Sequence, residues 1–272
     1  MAMESPAEAR TAGLAPATGL LRFRGPDAAT FLQGQLSNDM TALASDRFML
    51  AGLHNPQGRV LALLQLTAPE ANHIVALLPA ELADLTLSTL RRYVLRARLT
   101  ISNESNAAAL GALAAQFPAA AHALQPAVRA RAIAAGLPQV YAATSGAFVA
   151  QMLNLDCVAG ISFTKGCYTG QEIIARAHYR GRIKRRMQRF ETAAVIALTP
   201  GQAVRLSDGR TAQIVDAVDR ADGHTEFLAV AALPTLTGAE AGAAPGGSAE
   251  SPAAPAPRLD CTPLPLPYAL PD

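Results

Sequence analysis

The feature that most restricts how this chain can fold is a stretch with nothing to fold around. Residues 237–258, TGAEAGAAPGGSAESPAAPAPR, contain no large apolar side chain. Such a segment cannot bury enough surface to offset its ordering entropy, so it reads as a flexible linker. Yet Pro265-Leu266-Pro267-Tyr268 beyond it is apolar, and is expected to dock back on the preceding domain as an edge strand. Residues 1–18 are likewise small, polar and Pro-containing, and read as a disordered lead-in.

Between these segments the grain changes once. Residues 20–25 read as a strand. Pro26 then suits the first turn of a helix carrying Phe31, Leu32 and Leu36 on one side. His54-Asn55-Pro56-Gln57-Gly58 signals a turn, followed by strands over 60–67 and 72–78. Pro79 opens an amphipathic helix with Leu82, Leu85, Leu90 and Val94, then a short strand over 98–102. Two Ala-rich helices are expected at about 105–117 and 119–135. From about 183 the pattern turns to short β runs (183–192, 202–206, 211–218, 225–233) with Asp-Gly turns at 208–209 and 222–223. The expectation is an α+β body over 19–181 and an antiparallel β-barrel domain over 182–236 plus 259–272.

Composition excludes several classes. Half the chain is hydrophobic, but Ala supplies 59 of the 272 residues, so the core rests on the fewer large side chains. A formal net charge of +2 with 16% charged residues argues against a dedicated DNA binder. Three cysteines, Cys157, Cys167 and Cys261, without a Cys-x-x-Cys pair, exclude a disulfide framework and a permanent all-Cys zinc or cluster site. The start lacks a hydrophobic signal region, and no stretch approaches about 18 uninterrupted apolar residues. A cytoplasmic protein without membrane association is expected.

The stretch that carries chemistry is Lys165-Gly166-Cys167-Tyr168-Thr169-Gly170-Gln171-Glu172, followed by IIARAHYRGRIKRR. Thr169-x-x-Glu172 has the form of a capping box. Ile173, Ile174 and Ala177 give a helix of about ten residues an apolar side, and Gly181 suits its end. Cys167 then lies two residues before the N-cap with Lys165 close by, a setting that favours thiolate over thiol. A reactive or metal-touching sulfur is one reading; a small buried hydrophobe is the other. The stretch is no P-loop, since the Lys precedes the glycines. His178, the nearest histidine, lies near the opposite end of the helix, about 15 Å away at 1.5 Å per residue, which disfavours a Cys–His hydrolase. His54, His73, His122 and His224 show no supporting motif.

A second feature is basic. Arg176, Arg180, Arg182, Lys184, Arg185, Arg186 and Arg189 crowd the junction of the two expected domains. They form either a solvated face or a cleft for an anionic ligand or an acidic or RNA surface. Tyr179 is the only aromatic in the run, so direct nucleic-acid binding is not expected.

The sequence resembles a known family at these residues. Lys165-Gly166-Cys167-Tyr168-x-Gly170-Gln171-Glu172, with Ala175-Arg176 and Gly181, matches the signature of the YgfZ-type folate-binding proteins. Gly25-x-Asp27, Phe31-Leu32-Gln33-Gly34-Gln35-Leu36-x-x-Asp39, Leu153-Asn154-Leu155, Gly160-Ile161-Ser162-Phe163 and Pro265-Leu266-Pro267-Tyr268 agree in order along the chain. The resemblance implies a fold related to the glycine-cleavage T-protein and a role in iron–sulfur cluster assembly or repair that indirectly supports tRNA-modifying enzymes. It implies tetrahydrofolate or a derivative as ligand, no permanent metal, and iron–sulfur client enzymes or assembly factors as partners. By the same resemblance Cys167 would be the functional residue and a candidate transient cluster contact, with Lys165, Tyr168, Gln171 and Glu172 shaping its loop and Arg176 toward folate.

Two departures stand out. T-protein enzymes carry an acidic pair after a comparable turn, whereas Arg59-Val60-Leu61-Ala62-Leu63-Leu64 follows Gly58 here, with no carboxylate. That disfavours a tetrahydrofolate-dependent aminomethyl or one-carbon transferase, the first alternative. A tRNA-binding accessory protein resting on the basic run is the second. The chain also has no Trp to stack on folate, which leaves Tyr93, Tyr141, Phe148 and Phe163 as substitutes.

Overall fold

The structure is a computed structural model describing residues 17–125, 127–233 and 256–271. The expected lead-in lies outside the described residues up to position 16, and most of the expected linker, 237–255, lies outside them too. Both expectations ran slightly long at their inner ends. Ala17 accepts a hydrogen bond from the amide of Ala80, and Thr18 already belongs to a strand.

The body is built on a five-stranded antiparallel sheet. In chain order its strands are β1 (Thr18–Arg24), β2 (Met49–His54), β3 (Val60–Glu70), β4 (His73–Pro79) and β5 (Thr100–Asn103). Their spatial order is β2-β3-β4-β1-β5. The segments expected to be strands form them, while β2 is a strand that sequence reasoning missed. Its Ala51, Gly52 and His54 carry little β-propensity. Pairing with β3 and burial of Ala51 and Leu53 hold it in place. The first helix, α1 (Ala28–Gln33), packs Phe31 and Leu32 into the core. The second, α2 (Ala83–Arg91), begins a turn later than Pro79 and buries Leu87 and Leu90.

The first Ala-rich helix is α3 (Ala107–Gln116), capped by the Asn106 side chain, which accepts from the amide of Ala109 at 2.9 Å. The second is divided into α4 (Pro118–Ala123) and α5 (Val128–Ala134). The sequence between them carries Pro126, which has no amide to donate. A last helix, α6 (Gln171–Arg180), closes the body.

The C-terminal sheet contains β6 (Arg185–Thr192), β7 (Ala203–Arg205), β8 (Thr211–Asp219), β9 (Thr225–Ala232) and β10 (Cys261–Leu264), in the order β10-β6-β9-β8-β7. All its ladders are antiparallel. Among the described residues no continuous ladder closes it into the expected barrel. A single parallel bridge between Arg205 and Arg258 joins β7 to the chain entering β10, with the Arg205 amide donating to Pro257 and the Leu259 amide to Arg205. One segment, 257–264, therefore lies along both edges of the sheet. The docked edge strand is Cys261–Leu264, four residues earlier than expected. Beyond it the Tyr268 hydroxyl reaches the Gly136 carbonyl of the body at 2.7 Å.

The two sheets share a core. Met187, Val215, Leu228 and Val230 pack in the same cluster as Leu21, Phe23, Leu64 and Phe148 of the body. The other face has its own cluster, centred on the stacked rings of Phe190 and Phe227, 5.3 Å apart. Strand β9 is buried along its whole length, as a central strand covered on both faces must be. Polar pins join the units as well. Asp216, 2% exposed, accepts from the Arg129 guanidinium at 2.6 Å and the Tyr141 hydroxyl at 2.9 Å. Arg186, also buried, makes a two-pronged contact with Asp156 at 3.0 and 2.9 Å and donates to the Gln151 carbonyl.

Candidate functional site

The Cys167 segment is held by two elements far away in sequence. The first is the turn after α1. Ser37 donates its hydroxyl to the Gly160 carbonyl at 2.7 Å and accepts from the Gly52 amide at 2.8 Å. The Ser162 amide donates to the Ser37 carbonyl at 2.9 Å, and Asn38 donates to the carbonyls of Ala159 and Leu50. Residues 159–162 are thus stitched to residues 37–38 and through them to β2.

Lys165 continues the stitch. Its ammonium donates to the carbonyl oxygens of Gln33, at the C-terminal end of α1 where carbonyls lack helical partners, and of Leu36 in the turn beyond, the latter at 2.6 Å. It lies 4.9 Å from the centre of the Tyr168 ring. Burial pulls its pKa down to about 8, against the nearby Asp39 carboxylate, which raises it. The sequence suggested Lys165 as a cation for the Cys167 sulfur; the structure instead engages its ammonium with backbone carbonyls.

Tyr168 is the second anchor. It is buried, 6.2 Å from the His54 ring, and burial pushes its hydroxyl up to about 12. Between these anchors Gly166 and Cys167 are both exposed. The run buried–exposed–exposed–buried makes a two-residue crest with the cysteine on it. The alternative of a buried, inert Cys167 is therefore set aside by its exposure. The other thiols differ. Cys261 is buried, and Cys157 is half-buried with its thiol pushed up to about 11 by burial and by Asp156.

The turn Asn55–Gly58 forms the second holding element. Gly170 has φ of 81°, in the left-handed region, and a Cβ there would lie 2.5 Å from the Asn55 carbonyl oxygen. Only glycine combines that backbone with that approach. This turn displaces the helix start. Gly170, not Thr169, is the N-cap of α6, and no side-chain capping bond forms. The expected Thr169–Glu172 box is therefore absent. Glu172 sits exposed in the first helical turn, where a carboxylate complements the helix dipole. Gln171 is half-exposed beside it, its amide donating to the Tyr168 carbonyl at 3.2 Å. Ile174 buries the inner face of α6, and its carbonyl accepts from Gln151 at 2.7 Å.

The basic run divides in two. Arg186 and Arg189 serve the fold, paired with Asp156 and Glu226, and Arg185 is half-buried with a bond to the Val230 carbonyl. Arg176, Arg180, Arg182 and Lys184 are exposed. His178 stacks on Phe163 with ring centres 3.8 Å apart and planes 15° from parallel, and no hydrogen bond joins it to Cys167 among the described residues. Among the described residues no group of three or more His, Cys, Asp or Glu side chains gathers as a metal site, and no helix is long and apolar enough to cross a membrane.

Sequence reasoning found no supporting motif for His54 and gave Gln35 no role beyond the family match. The Leu36–Leu53 bridge sets these two residues beside each other. Gln35 Oε1 is buried without a hydrogen-bond partner, and burial lowers the His54 pKa to about 4 against a hydrogen bond with the Gly58 backbone, which raises it. A bridge between distant segments, which no local pattern signals, joins them. Of the proposed folate-stacking aromatics, Tyr141 is committed to Asp216, Phe148 is buried in the core, Phe163 stacks on His178, and Tyr93 is exposed.

No family model matches this chain. A tRNA-modifying protein YgfZ from Serratia proteamaculans is 31% identical over 261 residues, covering 75% of this chain and 79% of the relative. The chain belongs to the YgfZ family. YgfZ proteins from Pectobacterium carotovorum and Klebsiella pneumoniae are 32% and 28% identical, covering 59% and 75% of this chain and 64% and 80% of theirs. The fold is that of the glycine cleavage system aminomethyltransferase T. The Bartonella henselae structure superposes with a TM-score of 0.58 at 14% identity, over 79% of this chain and 76% of that one. In this YgfZ-family chain the segments around Phe31–Asp39 and Gly160–Lys165 touch, and the contact gives the two sequence signatures one joint role, since together they hold the Cys167 crest.

Proposed function

We propose that this protein is an accessory factor for iron–sulfur cluster assembly or repair that uses Cys167, and thereby sustains iron–sulfur enzymes that modify tRNA. The observation carrying this reading is the exposed cysteine between two buried anchors, Lys165 and Tyr168. An exposed sulfur on a rigidly tethered crest can meet a second macromolecule, which a sulfur inside a cleft cannot. In this reading the client's cluster or sulfur species is the cargo, met transiently by the Cys167 sulfur. The relatives' name, tRNA-modifying protein, fits a downstream effect on tRNA.

Tetrahydrofolate is the proposed small ligand. Its support is the aminomethyltransferase-like fold together with the unpartnered Gln35 Oε1 beside the buried His54, which a donor-bearing heterocycle would satisfy. These two residues would hold the pterin edge; the ligand would supply one-carbon or redox chemistry when bound. Direct aminomethyl transfer is disfavoured, because Arg59 follows the Asn55–Gly58 turn and its guanidinium donates to the Ala147 carbonyl at 2.8 Å.

The test is complementation of a strain lacking its own copy, read as the level of a thiolated nucleoside in bulk tRNA. Wild type should restore the level and Cys167→Ser should not, while His178→Ala should restore most of it. Full restoration by Cys167→Ser would remove the reading. Calorimetric titration with tetrahydrofolate, repeated with His54→Gln, tests the ligand separately; absence of heat with the wild type would refute it.

A further inference from the structure

The outer face of α6 carries a feature that the role of Cys167 does not use. Tyr179 is 68% exposed, the largest exposed aromatic surface after the fold is complete. Its ring stands edge-on to two others, His178 at 4.7 Å and Phe163 at 6.2 Å, and those two stack on each other. Within the basic run of the sequence Tyr179 is the only aromatic. The fold adds Phe163, sixteen residues earlier in the chain, and turns one ring into a three-ring cluster.

Cations surround it. Arg176, Tyr179 and Arg180 are spaced i, i+3, i+4 and so share one helix face. Arg182 and Lys184 follow directly, and no carboxylate lies between Glu172 and Glu191 in the sequence. Among the described residues, the side chains of Arg176, Arg180 and Arg182 make no hydrogen bond or ion pair. A plain solvated face needs no ordered aromatic cluster. The exposed Tyr179 and His178 rings, backed by the half-buried Phe163 and flanked by unengaged guanidinium groups, fit a partner with flat faces and a negative backbone, which is unpaired nucleic acid.

We propose that the Phe163–His178–Tyr179 cluster, with Arg176, Arg180 and Arg182, is a binding surface for single-stranded RNA. The choice of RNA over DNA rests on the YgfZ-type reading above; the geometry itself depends on neither folate nor Cys167. Tyr179 stacks on an unpaired base, and the three arginines contact the backbone phosphates around it.

The experiment is fluorescence anisotropy with the full chain and a labelled RNA hairpin bearing a seven-nucleotide loop. A blunt RNA duplex of equal length and inorganic polyphosphate serve as comparators. The hairpin should bind more tightly than the duplex and resist competition by polyphosphate. Tyr179→Ala should weaken binding about 5- to 150-fold, and Tyr179→Phe, which keeps the ring, should stay within about twofold. Arg180→Gln should lower affinity and reduce the salt dependence by about 0.7 in log–log slope. Equal binding of duplex and hairpin, an unchanged affinity for Tyr179→Ala, full competition by polyphosphate, or no binding at low salt would each overturn the proposal. Cys167→Ser should bind RNA like the wild type. Absence of RNA binding by the wild-type protein alongside intact Cys167-dependent complementation would defeat this inference alone.

Discussion

Gly170 packs so closely on Asn55 that a methyl group at position 170 would lie 2.5 Å from the Asn55 carbonyl oxygen. The contact fixes where α6 begins and hence where the chain rises to Cys167. Gly166, on the crest itself, has no left-handed backbone, and a methyl group added there would meet nothing within 4 Å.

Gly170→Ala and Gly166→Ala should therefore separate. A left-handed alanine costs about 1–2 kcal/mol before the clash is counted. Gly170→Ala should lower the unfolding free energy by at least about 2 kcal/mol in urea titration, and Gly166→Ala by less than about 1 kcal/mol.

Removal of the Lys165 ammonium should loosen the crest. Lys165→Met keeps the apolar stem but leaves the Gln33 and Leu36 carbonyls without their donor. The expected loss is about 1–3 kcal/mol, read as a lowered melting temperature. Limited proteolysis should then cut near residues 164–170 faster than in the wild type.

The three thiols should react in a fixed order. Cys167 is exposed, Cys157 is half-buried with a thiol pushed up to about 11, and Cys261 is buried. At pH 8 only about one Cys157 in a thousand is ionised. Iodoacetamide followed by peptide mass mapping should label Cys167 first, by at least about tenfold in rate over either other thiol.

His54 should make stability fall on acidification. Its folded pKa, about 4, lies below the unfolded value of 6.5 because the charged ring is buried. Above pH 6.5 both states are neutral and nothing is lost. Between 6.5 and 4 the unfolded chain takes up the proton first, so the folded state loses ground as pH falls, by about 3 kcal/mol in all. Below pH 4 the difference is constant. His54→Gln, which cannot titrate, should show a correspondingly shallower decline in denaturant titrations from pH 7 to 4.

Much of this was legible in the residues. The Pro26 and Pro79 signals, the Val60–Thr67 run and the Asp-Gly turns each mark an element that forms close to the expected place. Cys167 stood out through its flanking glycines. What escaped was what depends on contact between distant segments. Strand β2 forms because β3 lies beside it, not because Ala51 and Gly52 favour it. Lys165 looked like a partner for sulfur, but the carbonyls of Gln33 at the end of α1 and of Leu36 in the turn after it compete for it. The Thr169 cap obeyed a local rule that Gly170 overrides, since the tertiary contact with Asn55 needs a left-handed residue one step later.

Because residues 257–264 lie against β7 at one end and β6 at the other, they act as a shared guard for two otherwise bare strand margins. A protease that removed everything after residue 255 would strip both margins at once. Each would then offer unpaired amides and carbonyls to any neighbouring copy, so the truncated protein should self-associate before it unfolds.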